Sequence, residues 1–194
     1  MEGSFFIPIN LLPFSHIVKI PFLFYLDCPS GQSYKPSIPL ANKVCSKNLE
    51  GGVTMARRFQ ALLRGSEEVP PVRTNASGNI LFRLSDDGQR LEFRLVVNQL
   101  RNFTQAHIHI GARGVNGPVV VFLFGPVTRG ISVNRGVVMG TITRNDLVGP
   151  LQGRSLAELV RLMNSGMTYV NAHTTQNPDG EIRGQIRRTI SRRR

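Results

Sequence analysis

The chain has 194 residues, of which 41% are hydrophobic, so it is long and apolar enough to bury the core of one domain. Its 24 basic residues outnumber its 12 acidic residues, and the net charge of +12 predicts affinity for an anionic polymer or an acidic surface without naming a partner. Both cysteines, Cys28 and Cys45, precede Met55, which excludes disulfide and thiol chemistry from the rest of the chain.

Residues 1–54 are interpreted as a disordered or mis-assigned extension. Prolines and charges interrupt the apolar residues at 4–26, which predicts no membrane span, and the acidic start is a poor secretion signal. All four lysines precede Met55 and all twenty arginines follow it. Glu50-Gly51-Gly52 has purine-rich codons that can contain a ribosome-binding sequence, so we interpret Met55 as the true start. That start predicts a cytoplasmic or spore-associated protein; an unusual secretion signal is the alternative and predicts a secreted or cell-surface one.

Residues 55–190 are predicted to form one all-β domain, followed by a basic tail at 191–194. Apolar runs and apolar–polar alternation predict strands at Phe59–Leu63, Asn79–Leu84, Leu91–Val97, Gln105–Ile110, Pro118–Phe124, Val137–Ile142, Tyr169–Thr174 and Glu181–Ile190. Pro118–Phe124 is apolar on both faces, which predicts a central strand. Turns such as Ser85-Asp86-Asp87-Gly88 favour antiparallel hairpins. Short strands with turns at this spacing predict an antiparallel Greek-key β-sandwich.

One short helix is predicted near residues 155–165. Ser155 and Glu158 have the spacing of a capping box, and Gly166 stands where a helix C-terminus favours glycine. The apolar residues repeat at helical spacing: Leu156, Leu159, Val160 and Met163. This stripe predicts a helix that packs on the sandwich as a lid.

Three histidines are the candidate metal ligands. His107 and His109 are two residues apart on a predicted strand, so their side chains project from the same face. His173 lies on another strand, where it shares a face with Asn171. Imidazoles suit zinc or copper and do not suit hard cations. A metal site therefore requires all three rings to meet in the folded domain; a hydrogen-bonded polar patch is the alternative.

Two further groups of polar residues are candidate site residues. Glu181, Arg183 and Gln185 alternate on one strand face near Asn171 and His173, where they form an ion pair, support a neighbouring loop or make up a polar cluster. The basic tail is formed by Arg187, Arg188, Arg192, Arg193 and Arg194. It predicts either a solvated tail or a contact with acidic polymer. No aromatic platform accompanies it, so sequence-specific nucleic-acid binding is not expected.

The domain resembles the CHRD family, whose domain is repeated in the developmental regulator chordin and occurs singly in many bacterial proteins. The matching segments are Phe59–Gly65, Glu68-Val69-Pro70-Pro71, Ala106–His109 with Gly111, Gly114 and Asn116-Gly117-Pro118, Leu151–Leu159, Tyr169–Thr174 and Asn177–Gln185. The resemblance implies a single-domain bacterial member with an immunoglobulin-like or superoxide-dismutase-like sandwich. It implies no particular activity.

The His-x-His strand is also similar to that of copper/zinc superoxide dismutase. That family uses more histidines, a bridging ligand and a disulfide, whereas this domain has three histidines and no cysteine. Fold likeness does not transfer a reaction. We therefore predict a non-catalytic binding or structural module with a histidine metal site. The two alternatives are a copper-dependent redox enzyme and an arginine-rich protein that binds polyanions.

Overall fold

The computed structural model describes residues 57–189. The predictions for the N-terminal extension and for Arg192, Arg193 and Arg194 lie outside the described residues. The elements of the described part are β1 (Arg58–Arg64), β2 (Ser77–Leu84), β3 (Leu91–Ile110), β4 (Val119–Phe124), β5 (Ile131–Ile142), α1 (Leu156–Asn164), β6 (Thr168–Thr174), β7 (Ile182–Gln185) and β8 (Arg187–Arg188).

The strands form an antiparallel barrel. The order β2-β1-β7-β6-β3 closes into a ring of five strands because β2 also pairs with β3. Outside this ring, β4 and β5 each pair with β3, and β8 pairs with β1. The predicted all-β, antiparallel architecture with one short helix is confirmed. The ring is closed, however, and the two separate sheets of a Greek-key sandwich are not specifically formed.

One long strand, β3, makes this closure possible. The sequence predicted two strands here, Leu91–Val97 and Gln105–Ile110, but β3 is continuous over 20 residues. Gln99 and Asn102 adopt left-handed backbone angles (φ of 50° and 51°), and the pairing of β3 shifts register close to them. Irregularities of this kind bend a strand without ending it. The first half of β3 therefore pairs with β2 and β5, and the second half pairs with β4 and β6.

The prediction that Pro118–Phe124 is a central strand was wrong. The strand β4 pairs with β3 alone. Its second edge is covered by a loop, since the Val148 N–H donates to the Val120 carbonyl at 2.9 Å. The loop buries Leu147 and Leu151, and this contact explains why β4 is apolar on both faces. An apolar strand can lie at the edge of a sheet when a loop packs on it.

Other element bounds also differ from the prediction. The strand β5 begins at Ile131, six residues earlier than predicted, and the last predicted strand is divided into β7 and β8. Helix α1 buries its apolar stripe as predicted, and Gly166 follows it with a φ of 71°. The predicted capping box is absent: the Ser155 side chain makes no capping bond, and Glu158 pairs with Arg161 instead.

The hydrophobic core fills the barrel with alternate residues of its strands. Leu95, Ile108, Val170 and Ile182, for example, are each fully buried. Because neighbouring residues of a strand face opposite ways, the residues between them lie on the outer face of the barrel. Within residues 57–189 no helix is long and apolar enough to cross a membrane.

Candidate metal centre

The three domain histidines lie on the outer face of adjacent strands. His107 and His109 alternate on β3 with Ala106 and Ile108, which face the core. Across the ladder, His107 pairs with Asn171, and Gln105 pairs with His173. His173 is therefore a diagonal neighbour of His107 on the same face, which is a contact distance for long side chains.

The rings converge on one point. Ligand atoms of all three histidines lie within 4.8 Å of one another, and Nδ1 of His107 lies 3.1 Å from Nε2 of His173. Two nitrogens bound to one tetrahedral zinc ion are about 3.4 Å apart. The cluster therefore has nearly the size of a metal site and needs ring movements of about 1 Å to close on an ion. The three side chains are 4%, 7% and 6% exposed, so bulk water has little access to them.

Backbone carbonyls fix the orientation of two of the rings. Nδ1 of His109 donates to the Gly117 carbonyl at 2.8 Å, and Nδ1 of His173 donates to the Pro178 carbonyl at 2.8 Å. A carbonyl only accepts, so each of these neutral rings has its lone pair on Nε2. Ligating histidines in metal proteins make this same contact through their second ring nitrogen.

The contact between His107 and His173 leaves several acceptor atoms of the cluster without a donor. With Nε2 of His173 as an acceptor, His107 donates to it from Nδ1, which leaves the lone pair of His107 on Nε2. Within the described residues, Nε2 of His107 and Nε2 of His109 are buried and have no hydrogen-bond partner. The amide oxygen of Asn171 lies 2.9 Å from Nε2 of His173, which adds a second acceptor at that point. A cation between the rings would take the lone pairs on Nε2 of His109 and Nε2 of His173, and His107 would join them through Nδ1 with its proton moved to Nε2.

Burial keeps the three histidines neutral. It lowers the pKa of His107 to about 3, and the neighbouring His173 and His109 contribute to this shift. Burial also lowers the pKa of His109 and of His173, although their bonds to the Gly117 and Pro178 carbonyls act in the opposite direction. Neutral imidazole is the form that binds metal, so protons compete little for these rings at neutral pH.

An aromatic ring and a guanidinium group support His109. The Tyr169 ring stacks on His109 with a centroid distance of 4.8 Å, and the Arg183 guanidinium lies 3.4 Å from the centroid of the Tyr169 ring. Arg183 also donates to the Asn116 side chain at 2.7 Å and to the Val115 carbonyl at 2.8 Å. These residues belong to the loop that presents the Gly117 carbonyl, so Arg183 positions the loop that orients His109.

The predicted polar cluster is divided between this site and its surroundings. Asn171 lies inside the histidine cluster, and Arg183 and Gln185 bind loops, the latter through the Gly111 and Gly166 carbonyls. Glu181 does not pair with Arg183. It accepts hydrogen bonds from residues in two other segments, namely Thr74, Thr174 and Asn177. Of the basic tail, Arg187 and Arg188 are described, and they are exposed on β8, which pairs with β1.

Three residues that support the site, and a buried carboxyl group near Arg183, were not predicted from the sequence. Gly117 and Pro178 contribute only carbonyls, so nothing in their side chains marks them, although both lie in turns that follow a histidine strand. Tyr169 shares the face of Asn171 and His173 at a spacing of two, which is a pattern that was available. Glu68 lies in a predicted loop, yet it is 5% exposed and its Oε1 has no partner among the described residues.

Comparison with known proteins identifies the family. Residues 59–186 match the CHRD domain, and this match covers most of the described chain. No protein in a curated collection matches the sequence. The chain therefore belongs to the CHRD domain family, as its sequence resemblance implied.

Proposed function

We propose that this CHRD domain is a non-catalytic binding or structural module in which His107, His109 and His173 bind one zinc or copper ion. The observation that carries the proposal is the convergence of three buried imidazoles, whose ligand atoms lie within 4.8 Å of one another, with Nε2 of His109 left without a partner among the described residues. Leaving a buried polar atom without a partner costs about 1–3 kcal/mol. A metal ion between the rings removes this cost for Nε2 of His109, and His107 would ligate the same ion through Nδ1, the nitrogen that faces His173.

The second nitrogens support a metal site over a simple polar patch. In a patch, histidines exchange hydrogen bonds with one another through either nitrogen. Here His109 and His173 each use Nδ1 for a backbone carbonyl, and this leaves Nε2 directed into the cluster. That arrangement selects one tautomer before any ligand arrives, and ligating histidines of metal sites usually make this contact through the nitrogen that does not bind the ion.

The donor set favours zinc or copper. Three imidazole nitrogens are borderline-soft ligands, and calcium and magnesium prefer oxygen ligands. Three protein ligands also leave one position of a tetrahedral ion for water or for an atom of a partner molecule. A bound ion would thus join β3 to β6 and offer one coordination position for binding.

Metal titration of the full chain tests the proposal. Protein freed of metal by chelation is titrated with Zn²⁺ and with Cu²⁺ in a calorimeter, and we expect one ion per chain. His109→Ala and His173→Ala should each weaken binding by about a hundredfold or more, because each removes a ligand. Electron paramagnetic resonance of the copper form should show coupling to three nitrogens.

The matched control is Gln105→Ala. Gln105 lies two residues from His107 on the same face of β3, and it is not a proposed ligand. This variant should bind the ion with unchanged affinity. Binding that survives both histidine substitutions, or a chain that binds neither ion in stoichiometric amount, would contradict the proposal.

A further inference from the structure

The strand β5 has an open edge. It runs over 12 residues, Ile131–Ile142, and pairs with β3 alone. Within residues 57–189, no backbone hydrogen bond joins its other edge to another element. Such an edge presents a row of free N–H and C=O groups to which a further strand can bind.

Two other strand edges of the sheet are covered. The outer edge of β4 binds a loop through the Val148 N–H, and β1 pairs with β8 through Phe59 and Gln60. Proteins usually protect exposed edges with proline, lysine or a bulge. The strand β5 contains no proline and no lysine, and its single charge is Arg135. It is thus a long uncovered edge of the described domain.

The side chains beside this edge are apolar and cationic. Val137 and Met139 are 47% and 64% exposed on the outer face, where they alternate with Arg135 at a spacing of two. Arg94 of β3 is the cross-strand neighbour of Met139. Within the described residues, neither Arg94 nor Arg135 forms an ion pair. An incoming strand would meet two apolar side chains followed by an unpaired guanidinium group.

We propose that β5 binds an extended segment of a partner protein as an additional antiparallel strand. Cross-strand neighbours on one face contact each other directly, so the segment should carry apolar residues opposite Met139 and Val137 and an acidic residue opposite Arg135. The unpaired arginines beside the edge favour this acidic partner over a second copy of the chain, which carries the same positive charge. Main-chain bonds give affinity in this binding mode, and the side-chain pattern gives specificity.

A charge-swap experiment, in which the sign of the charge is reversed first on a synthetic peptide and then on the chain, tests the inference. The probe is a short peptide of alternating valine and threonine in which one valine is replaced by glutamate, and the control peptide has lysine at that place. Added to the ¹⁵N-labelled full chain, the glutamate peptide should shift the NMR amide signals of residues 131–142 and bind about fivefold more tightly than the lysine peptide. Arg135→Glu should reverse this preference.

Three results would overturn the inference. The first is that neither peptide perturbs β5, and the second is that Arg135→Glu leaves the peptide preference unchanged. The third is that the edge is occupied by another copy, seen as a dimer in light scattering whose formation Met139→Lys abolishes. Leu62 is 63% exposed on β1, which does not pair with β5, so Leu62→Ala should leave peptide binding unchanged.

Discussion

The two halves of β3 present polar side chains on the same outer face, and only one half buries them. In the first half Glu92 and Arg94 are exposed, whereas in the second half His107 and His109 are buried. The alternation of side chains is the same in both halves. What differs is the cover: Tyr169 and the loop at Gly117 contact His109, whereas the side chains of Glu92 and Arg94 are exposed.

This difference depends on Arg183, which binds the loop that follows β3. It is 1% exposed, and it binds three groups of the loop that follows β3: the carbonyls of Ala112 and Val115 and the side chain of Asn116. Its guanidinium also covers the Tyr169 ring. The comparison teaches that a strand face becomes a buried polar site when a neighbouring strand supplies a residue that ties a loop across it.

The largest effect is expected from Arg183→Ala. It removes a buried cation and leaves two carbonyls and an amide without their donor, so we expect the free energy of unfolding to fall by about 3–5 kcal/mol. Zinc affinity should fall as well, because the Gly117 carbonyl no longer orients His109. Urea denaturation gives the first value, and calorimetry of the folded fraction gives the second.

The control for this substitution is Arg113→Ala. Arg113 forms an exposed ion pair with Glu67 on the same loop, and its removal should cost less than about 1 kcal/mol. Arg183→Lys, which keeps the charge and loses the planar fork, should lie between the two. Equal losses for Arg183→Ala and Arg113→Ala would show that the loop does not depend on Arg183.

A smaller effect is expected from the pH dependence of Glu68, a buried carboxyl group that packs against Gly180. Burial raises the pKa of Glu68 to about 7, although Arg183 lowers it. Since the folded pKa lies above the ordinary value of 4.5, the stabilising contribution is complete below pH 4.5 and is lost as the pH rises through 7. Glu68→Gln should therefore gain stability relative to the wild type between pH 5 and pH 8, by on the order of 1–3 kcal/mol.

The pH dependence of stability distinguishes this carboxyl group from the histidines. The pKa of His107 is lowered from 6.5 to about 3, so its contribution is present above pH 6.5 and is lost as the pH falls towards 3. The two groups thus act in opposite directions, and subtracting the Glu68→Gln profile from that of the wild type isolates Glu68. Parallel urea-denaturation profiles for the two proteins would refute the assignment.

The smallest effect is expected from substitution of Leu62, whose side chain is exposed on β1. Leu62 and Leu63 are neighbours on β1, and their side chains are 63% and 0% exposed. Leu62→Ala should change the free energy of unfolding by about 0.5 kcal/mol or less, whereas Leu63→Ala should cost about 2–5 kcal/mol. A large loss of unfolding free energy for Leu62→Ala, measured by thermal denaturation of the full chain, would mean that another part of the chain covers the Leu62 side chain.

Much of the fold was predictable because it depends on local patterns. Alternation located β1, β2, β4 and β6 to within two residues, and the stripe of Leu156, Leu159, Val160 and Met163 located the helix. The errors arose where a contact distant in sequence decides the structure. Gln99 and Asn102 bend β3 without interrupting it, and the Val148 loop covers β4, so an apolar strand is also an edge strand.

The sequence by itself determined three features: the alternation of polar and apolar residues along the strands, the His-x-His spacing and the membership of the CHRD family. Only the tertiary structure decided that His173 meets His107, because the two residues are 66 positions apart and approach through the pairing of β3 with β6. It also decided which ring nitrogens face the centre. That choice depends on the backbone carbonyls of Gly117 and Pro178, which every residue type possesses and which no sequence pattern can distinguish.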